Sequence, residues 1–365
     1  MQSQLTRAWV EIDLGALLQN GARVAEHTGS RLLPMVKADA YGLGAVRVAC
    51  ALQELDPWGF GVATVLEGDE LRRAGIERPI IVFTPLLPED FDAARRARLT
   101  PALGDAASIR IWQRYRLPWQ LAVDTGMNRA GVSWREVGAL HELIAAGPPQ
   151  GVFTHFHSAE REDGSRRVQE ERFAAVVAAL PVRPEMVHAE NSPAASRRHG
   201  SRARWTIARP GVFLYGVGFG AGAEIAPEPV VAVRARIVDL RTVEAGDTVS
   251  YGATFRAERA TRIATLAIGY ADGYRRALSN IGTVLIHGRK AGVAGNVTMD
   301  MTMCDVTEIE CEVGDVATVV GRDGDELLTI EDVADTGGIS PYELLTGLRS
   351  RLPRRYVHGD DAAAR

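Results

Sequence analysis

Short apolar runs alternate with helix-like segments from residue 9 to about residue 210, and this alternation limits the possible folds more than any other feature. Eight of the apolar runs are typical of buried strands: 32–37, 58–62, 79–83, 99–102, 119–124, 151–156, 185–189 and 204–208. Most of these runs are separated by helix-like segments: 44–55, 65–74, 88–97, 105–115, 133–146 and 165–180. Repeated strand–helix units indicate a parallel sheet, and eight of them predict a closed (β/α)8 barrel of the TIM type, an α/β fold. A doubly wound open sheet is the alternative, but no G-x-G-x-x-G segment follows the first strand.

The sequence pattern changes after about residue 222. Pro227 and Pro229 precede a long alternating run at 230–238, and further short runs follow, broken by glycine and aspartate. This pattern predicts a mainly β region with one late helix near 341–350. We therefore predict a barrel over 1–222 and a mainly β C-terminal domain over 223–365.

Composition excludes several classes of partner and compartment. A net charge of −4 gives no reason to expect nucleic acid or an anionic membrane as a partner. The three cysteines have neither metal-site nor disulfide spacing, which favours a reducing compartment. No apolar stretch approaches the length of a membrane span, and the first residues lack a signal core. We expect a cytoplasmic protein.

Lys37 is the first candidate for chemistry. Lysine occurs only at Lys37 and Lys290, whereas the other 40 of the 42 basic residues are arginine. A desolvated lysine can lose its proton and attack a carbonyl, which arginine cannot do. Because Lys37 ends an apolar run and a glycine-punctuated turn follows, we predict a buried strand that delivers this amine to its C-terminal end, with the next helix beginning near Gly44.

Other polar residues also follow predicted strands, at the end of a barrel where reactive groups gather. Those after the later strands are Arg129, His155, His188, Asn191, Ser192, Arg209 and Gly211. Ser192 and the Gly211–Val212 pair fall in the last two loops, where helix N-termini favour a phosphate. His155 and His157 could share a metal, but without a third ligand we predict no metal site.

Several segments together resemble the alanine racemases, which are pyridoxal-phosphate enzymes. The resemblance is carried by these stretches: Val36–Gly44, Val123–Gly131, Thr154–Phe156, His188–Ser192, Arg209–Val212, Ser250–Phe255, Ile268–Tyr274, Met299–Asp300 and Pro341–Glu343. The order of the motifs and their spread over nearly the whole chain make the resemblance specific. It implies a cytoplasmic isomerase that supplies D-alanine for cell-wall peptidoglycan.

The resemblance also implies a role for each matching residue. Lys37 would bond to pyridoxal 5'-phosphate and act as the base for D-alanine, while Tyr251 would be the base for L-alanine. Two bases are needed because inversion removes a proton from one face of the α-carbon and returns it to the other. The implied cofactor-binding residues are Lys37, Tyr41, His155, Asn191, Ser192, Arg209, Gly211, Val212 and Tyr342. The implied substrate-binding residues are Arg129, Tyr270, Met299 and Asp300.

The resemblance further implies a homodimer with shared active sites, in which Tyr251, Met299 and Asp300 reach the barrel of the other subunit. One departure from the pattern concerns Ala122. Many alanine racemases carry at this position a carbamylated lysine that holds the substrate-binding arginine, and alanine cannot carry a carbamate. We expect another group, such as a small anion or ordered water, to support Arg129.

Three other functions stay open from the sequence. A racemase that also accepts serine would share all the motifs named above. A barrel-type pyridoxal-dependent decarboxylase would need another acid in place of Tyr251. A non-catalytic cofactor-binding barrel would end near residue 230, and the 135 further residues count against it.

Overall fold

The computed structural model describes residues 6–197 and 205–358, and the first part of the described chain contains ten strands and nine α-helices. The strands are β1 (Ala8–Asp13), β2 (Arg31–Leu32), β3 (Phe60–Val62), β4 (Ile80–Val82), β5 (Thr100–Leu103), β6 (Gln120–Asp124), β7 (Val132–Ser133), β8 (Gly151–Phe153), β9 (Met186–His188) and β10 (Ile207–Ala208). The helices are α1 (Leu14–Thr28), α2 (Lys37–Gly42), α3 (Ala45–Leu52), α4 (Val65–Arg73), α5 (Asp90–Arg96), α6 (Ala106–Gln113), α7 (His141–Ala146), α8 (Ser165–Ala179) and α9 (Ser192–Ala195).

Eight of these strands form the predicted barrel. Parallel pairing runs in the order β3, β4, β5, β6, β8, β9, and β10 pairs parallel with β2. The ring closes at both gaps, because Met35 and Gly61 form a parallel bridge and the Thr206 amide donates to the Val187 carbonyl. The barrel prediction is therefore confirmed; of the run predicted at 204–208, residue 204 lies outside the described residues.

The helices around the barrel follow the predicted segments with one clear difference. The segment 133–146 was expected to be a single helix, but β7, a turn and a 3-10 helix at Val137–Leu140 occupy its first part. Only α7 is α-helical there. The apolar residues of the segment 133–146 have the spacing of a helix. The chain must first return from the loop after β6, however, and this requirement of the tertiary structure outweighs the local helix propensity.

The C-terminal part is mainly β, as predicted. Its strands are β11 (Val231–Val243), β12 (Thr248–Val249), β13 (Phe255–Arg256), β14 (Thr261–Leu266), β15 (Thr283–Ile286), β16 (Arg289–Gly292), β17 (Thr302–Asp305), β18 (Val316–Asp323), β19 (Glu326–Leu328) and β20 (Arg354–Val357). Two late helices are present where one was expected, α10 (Ile330–Thr336) and α11 (Pro341–Thr346). Within the described ranges, no helix is long and apolar enough to cross a membrane.

The strand β1 connects the two parts of the chain. β1 precedes the barrel in sequence, yet it pairs antiparallel with β11 and parallel with β20 in the second sheet. Its alternating residues Val10 and Ile12 are fully buried. Since each buried aliphatic side chain contributes about 1.5–3 kcal/mol, this strand fixes the start of the barrel to the second sheet.

The short element α2 is a left-handed turn and not a regular α-helix, a feature that the sequence did not predict. Residues Ala38 to Tyr41 all have φ between 51° and 58°. L-residues in this conformation cost roughly 1–2 kcal/mol each, so the surrounding structure must hold them. The Asp39 carboxylate accepts from the Ala45 amide at 2.7 Å, and the Glu67 carboxylate accepts from the Ala38 amide at 2.8 Å.

Candidate active site

A cavity of about 960 Å³ opens at the carboxyl ends of the barrel strands. Ten of the residues predicted for the site line it: Lys37, Tyr41, Arg129, His155, Asn191, Ser192, Arg209, Gly211, Val212 and Tyr342. Nine of them follow barrel strands, whereas Tyr342 lies on α11 of the C-terminal part. The structure thus brings together every predicted site residue of the barrel.

The strand predicted over 32–37 is shorter in the structure: β2 ends at Leu32, only the Met35 bridge extends it, and Lys37 begins α2 instead of ending a strand. The Lys37 side chain is half-buried against the cavity. Burial lowers the pKa of its amine below the ordinary value of 10.5, and the nearby Arg129 guanidinium lowers it further, while Glu67 opposes both. Glu67 is held in place because its carboxylate also accepts from the Ala63 amide at 2.7 Å. The amine is therefore easier to deprotonate than a surface lysine, as a nucleophile or base requires.

Glu67 was missed by the sequence reasoning, although a local signal was present. Thr64 and Glu67 have the spacing of a capping box, and the structure forms that box at the start of α4. The signal predicts a helix start. It does not show that the same carboxylate also holds the amide that follows Lys37.

Ser192 and Gly211 form a tight junction between the last two barrel loops. The Ser192 hydroxyl oxygen accepts from the Gly211 amide at 2.7 Å, and the start of α9 is capped by the Asn191 side chain. A Cβ atom on Gly211 would overlap the hydroxyl of Tyr41, so only glycine fits beside that ring. Burial raises the pKa of Tyr41, and it raises that of Tyr342 to about 12. Both hydroxyls stay protonated at neutral pH and can donate to an anion.

Arg209 is buried and fully engaged beneath the cavity. Its guanidinium donates to the Thr154 carbonyl at 2.7 Å and to Nδ1 of His188 at 2.9 Å, and it lies 3.5 Å from Nδ1 of His155. His188 is in turn 3.2 Å from the Gln120 side-chain oxygen, so its Nε2 carries the proton.

Both histidines of this group are neutral. Burial, followed by the charge of Arg209, lowers the pKa of His155 to about 3 and holds that of His188 well below 6.5. Burial also lowers the pKa of Arg209 to about 9, against the opposing charge of Glu190. The guanidinium therefore remains the permanent positive charge of this cluster at neutral pH.

Four predicted residues do not line the cavity of their own chain. Tyr251 is 75% exposed, Met299 is 52% exposed and Tyr270 is 41% exposed, while Asp300 forms an ion pair with Arg351 at 2.9 Å. Their segments are adjacent, since the Tyr270 amide donates to the Thr298 carbonyl and the Asn296 side chain donates to the Tyr251 carbonyl. They form an exposed aromatic and methionine surface on the C-terminal part.

The surroundings of Ala122 are apolar. It packs with Ala102, Phe153 and Phe83 at the cavity wall. Arg129 is exposed, and within the described residues no hydrogen bond or ion pair involves its guanidinium. The loop that carries Arg129, rather than a side-chain partner, therefore sets its position.

Taken together, a lysine with a lowered pKa, protonated tyrosine hydroxyls and a buried guanidinium at the mouth of a barrel define an enzyme site for a small anionic ligand. Comparison with known proteins gives the family. The model of the alanine racemase N-terminal domain matches residues 12–218, and that of the C-terminal domain matches residues 230–356.

Individual relatives agree with the family models. The alanine racemase of Carboxydothermus hydrogenoformans is 37% identical over 96% of this chain and 99% of its own. The crystal structure of alanine racemase from Streptomyces lavendulae has a TM-score of 0.91 and 32% identity, and covers 99% of both chains. That from Bartonella henselae, with covalently bound pyridoxal phosphate, has a TM-score of 0.89 and 29% identity over 96% of this chain and 100% of its own. The chain belongs to the alanine racemase family.

Proposed function

We propose that this protein interconverts L-alanine and D-alanine by a two-base mechanism, with Lys37 and Tyr251 as the bases. The observation that carries the proposal is Lys37, whose amine faces the cavity with a lowered pKa among the residues that the family motifs predicted. It is the only lysine besides Lys290, which is exposed and paired with Glu326 at 3.0 Å.

The cofactor is pyridoxal 5'-phosphate, and the residues present fit it. Lys37 supplies the amine for the covalent bond, and the protonated hydroxyls of Tyr41 and Tyr342 at the cavity wall can donate to a phosphate. The phosphate-binding residues would be Tyr41, Ser192, Gly211, Val212 and Tyr342, with Asn191 capping the adjoining helix. When bound, the cofactor supplies an electron sink for the charge that develops at the α-carbon.

The chain's own residues bind the substrate and move the proton. Arg129, at the cavity rim, would bind the substrate carboxylate. Lys37 would take the proton of D-alanine, and Tyr251 would take that of L-alanine from the opposite face. Arg209, held by its bonds to His188 and the Thr154 carbonyl, would face the ring nitrogen of the cofactor. A guanidinium that stays charged at neutral pH would disfavour protonation of the ring and limit side reactions.

The exposed surface that contains Tyr251 favours a two-fold dimer. Tyr251 carries its hydroxyl on a 75% exposed side chain away from its own cavity, so it needs a second copy to meet Lys37. Tyr270, Met299 and Asp300 belong to the same surface and would complete the partner's substrate site. A two-fold arrangement produces two identical shared sites.

An interconversion assay tests this function directly. Purified protein with pyridoxal phosphate should convert each alanine enantiomer into the other, as chiral chromatography would show, and serine and lysine should be tested beside alanine. Faster turnover of serine would favour the broader racemase, whereas release of carbon dioxide would favour a decarboxylase. Supply of D-alanine to peptidoglycan and a cytoplasmic location are part of the same proposal, and loss of the gene should create a requirement for D-alanine.

A further inference from the structure

Two loops of the proposed site are tied together by one buried side chain on an outer helix. The side chain is Gln169 of α8, which is 1% exposed. The first loop follows β6 and carries Arg129; the second follows β8 and carries His155. No family motif includes α8, and Gln169 does not line the cavity.

The Gln169 amide contacts both loops. Its nitrogen donates to the Thr125 hydroxyl at 3.2 Å and to the His155 carbonyl at 3.0 Å, and its oxygen accepts from the His157 amide at 3.1 Å. The orientation of the amide is fixed by its partners, because a backbone carbonyl can only accept and a backbone N–H can only donate.

Neighbouring contacts extend this arrangement. The Thr125 and Thr154 hydroxyls are 2.7 Å apart, and the Thr154 carbonyl accepts from Arg209 at 2.7 Å. Arg172, one turn after Gln169 on α8, donates to the Thr125 carbonyl at 2.7 Å. The start of the Arg129 loop, the His155 loop and Arg209 are therefore joined through buried hydrogen bonds.

We propose that Gln169 is a positioning residue that sets the Arg129 loop relative to the His155 loop and so determines substrate binding. The Arg129 guanidinium has no partner of its own among the described residues, and Ala122 cannot supply one. Its placement depends on the backbone that begins at Thr125. An arginine displaced by about 1 Å can cost on the order of 100-fold in rate. The predicted effect on substrate binding rests on the proposed function, whereas the predicted effect on the placement of the two loops does not.

The test compares Gln169→Leu with Gln113→Leu as a matched control. Gln113 is likewise an amide on a barrel helix, although it is only partly buried, and it donates to the carbonyls of Leu143 and Gly147, away from the cavity. Amide hydrogen exchange on the whole protein without cofactor should be faster at 125–131 and 155–158 in the Gln169 variant only, by about 10-fold or more. The Gln113 variant should keep the wild-type rates there.

Kinetics provide the second readout. Gln169→Leu should raise KM for alanine by roughly 10-fold, with kcat changed by less than about threefold, because uniform binding is lost. Thr125→Val is the second variant, for use if Gln169→Leu does not fold. It removes one partner of the Gln169 amide with almost no change of shape, so it should change the exchange rates and KM in the same direction. Unchanged exchange and unchanged KM in both variants would overturn the proposal and leave Gln169 a structural residue. Wild-type protein inactive on alanine would instead refute the proposed function, and the exchange comparison would still decide the role of Gln169.

Discussion

At the residue scale, the proposed chemistry depends on one amine among many guanidinium groups. Lys37→Ala should abolish the visible absorbance of covalently bound pyridoxal phosphate, because no other amine reaches the cavity from the described residues. Lys290→Arg is the control, since Lys290 is exposed and pairs with Glu326. Absorbance spectra after reconstitution check this. Loss of the band in the Lys290 variant alone would reverse the assignment.

His188 should make stability depend on pH in one direction. Its pKa is held well below 6.5 in the folded protein, mainly by burial and then by Arg209, whereas the unfolded chain titrates near 6.5. Below that pH the unfolded state binds a proton that the folded state excludes. The free energy of unfolding should therefore fall as pH falls, by up to about 1.4 kcal/mol per pH unit, and this contribution should be constant above pH 6.5.

Urea unfolding of the cofactor-free protein between about pH 7 and pH 5 measures this dependence. His188→Gln retains a polar side chain but cannot titrate, so its free energy of unfolding should fall less steeply with pH. Other groups contribute equally to both proteins and cancel in the comparison. Parallel slopes would mean that His188 is not held neutral.

At the element scale, the sequence predicted the strands well because buried strands in a parallel barrel are short, apolar and evenly spaced. It also predicted α3, which begins at Ala45 after the expected turn at Gly44. It could not predict the left-handed turn from Ala38 to Tyr41, because only Asp39 is of a type that often adopts this conformation and distant contacts hold the turn. Gln169 was missed for a similar reason: a glutamine on a helix normally faces solvent, and only the fold shows what its amide contacts.

The junction of the last two barrel loops provides a prediction at this scale. Gly211→Ala should weaken binding of pyridoxal phosphate, since the added methyl would overlap the Tyr41 hydroxyl. Overpacking of this kind costs about 1–3 kcal/mol, which corresponds to about 5- to 150-fold in affinity. Gly138→Ala is the control, because a Cβ there meets open space. Equal affinities of the two variants, measured by titration of absorbance, would contradict the phosphate assignment.

At the scale of the whole molecule, the barrel and the mainly β part are joined by β1 as well as by the chain near residue 222. The boundary at 222 stays a prediction; it falls between the two regions matched by the family models. β1 pairs with β11 and β20, so the first residues and the C-terminal part would separate only with loss of sheet hydrogen bonds.

If each active site is formed by two subunits, two inactive variants should restore activity when they are mixed, which a site formed within one chain would not allow. Lys37→Ala and Tyr251→Phe proteins should each lose most activity, but mixed dimers should contain one site with both bases. Random exchange of subunits should therefore restore about one quarter of wild-type activity. Differently tagged subunits verify the exchange. No recovery in a sample shown to contain mixed dimers would refute the sharing of sites.

The central claim is that two different bases serve the two faces of the α-carbon, and isotope exchange in deuterated water tests it most directly. In Tyr251→Phe, the α-proton of L-alanine should exchange more slowly than in wild type by about 10²- to 10⁴-fold, the range expected for loss of a general base. Exchange from D-alanine should persist, because Lys37 can remove that proton and return a deuteron to the same face. An equal decrease in the exchange rates of L-alanine and D-alanine would contradict the two-base account.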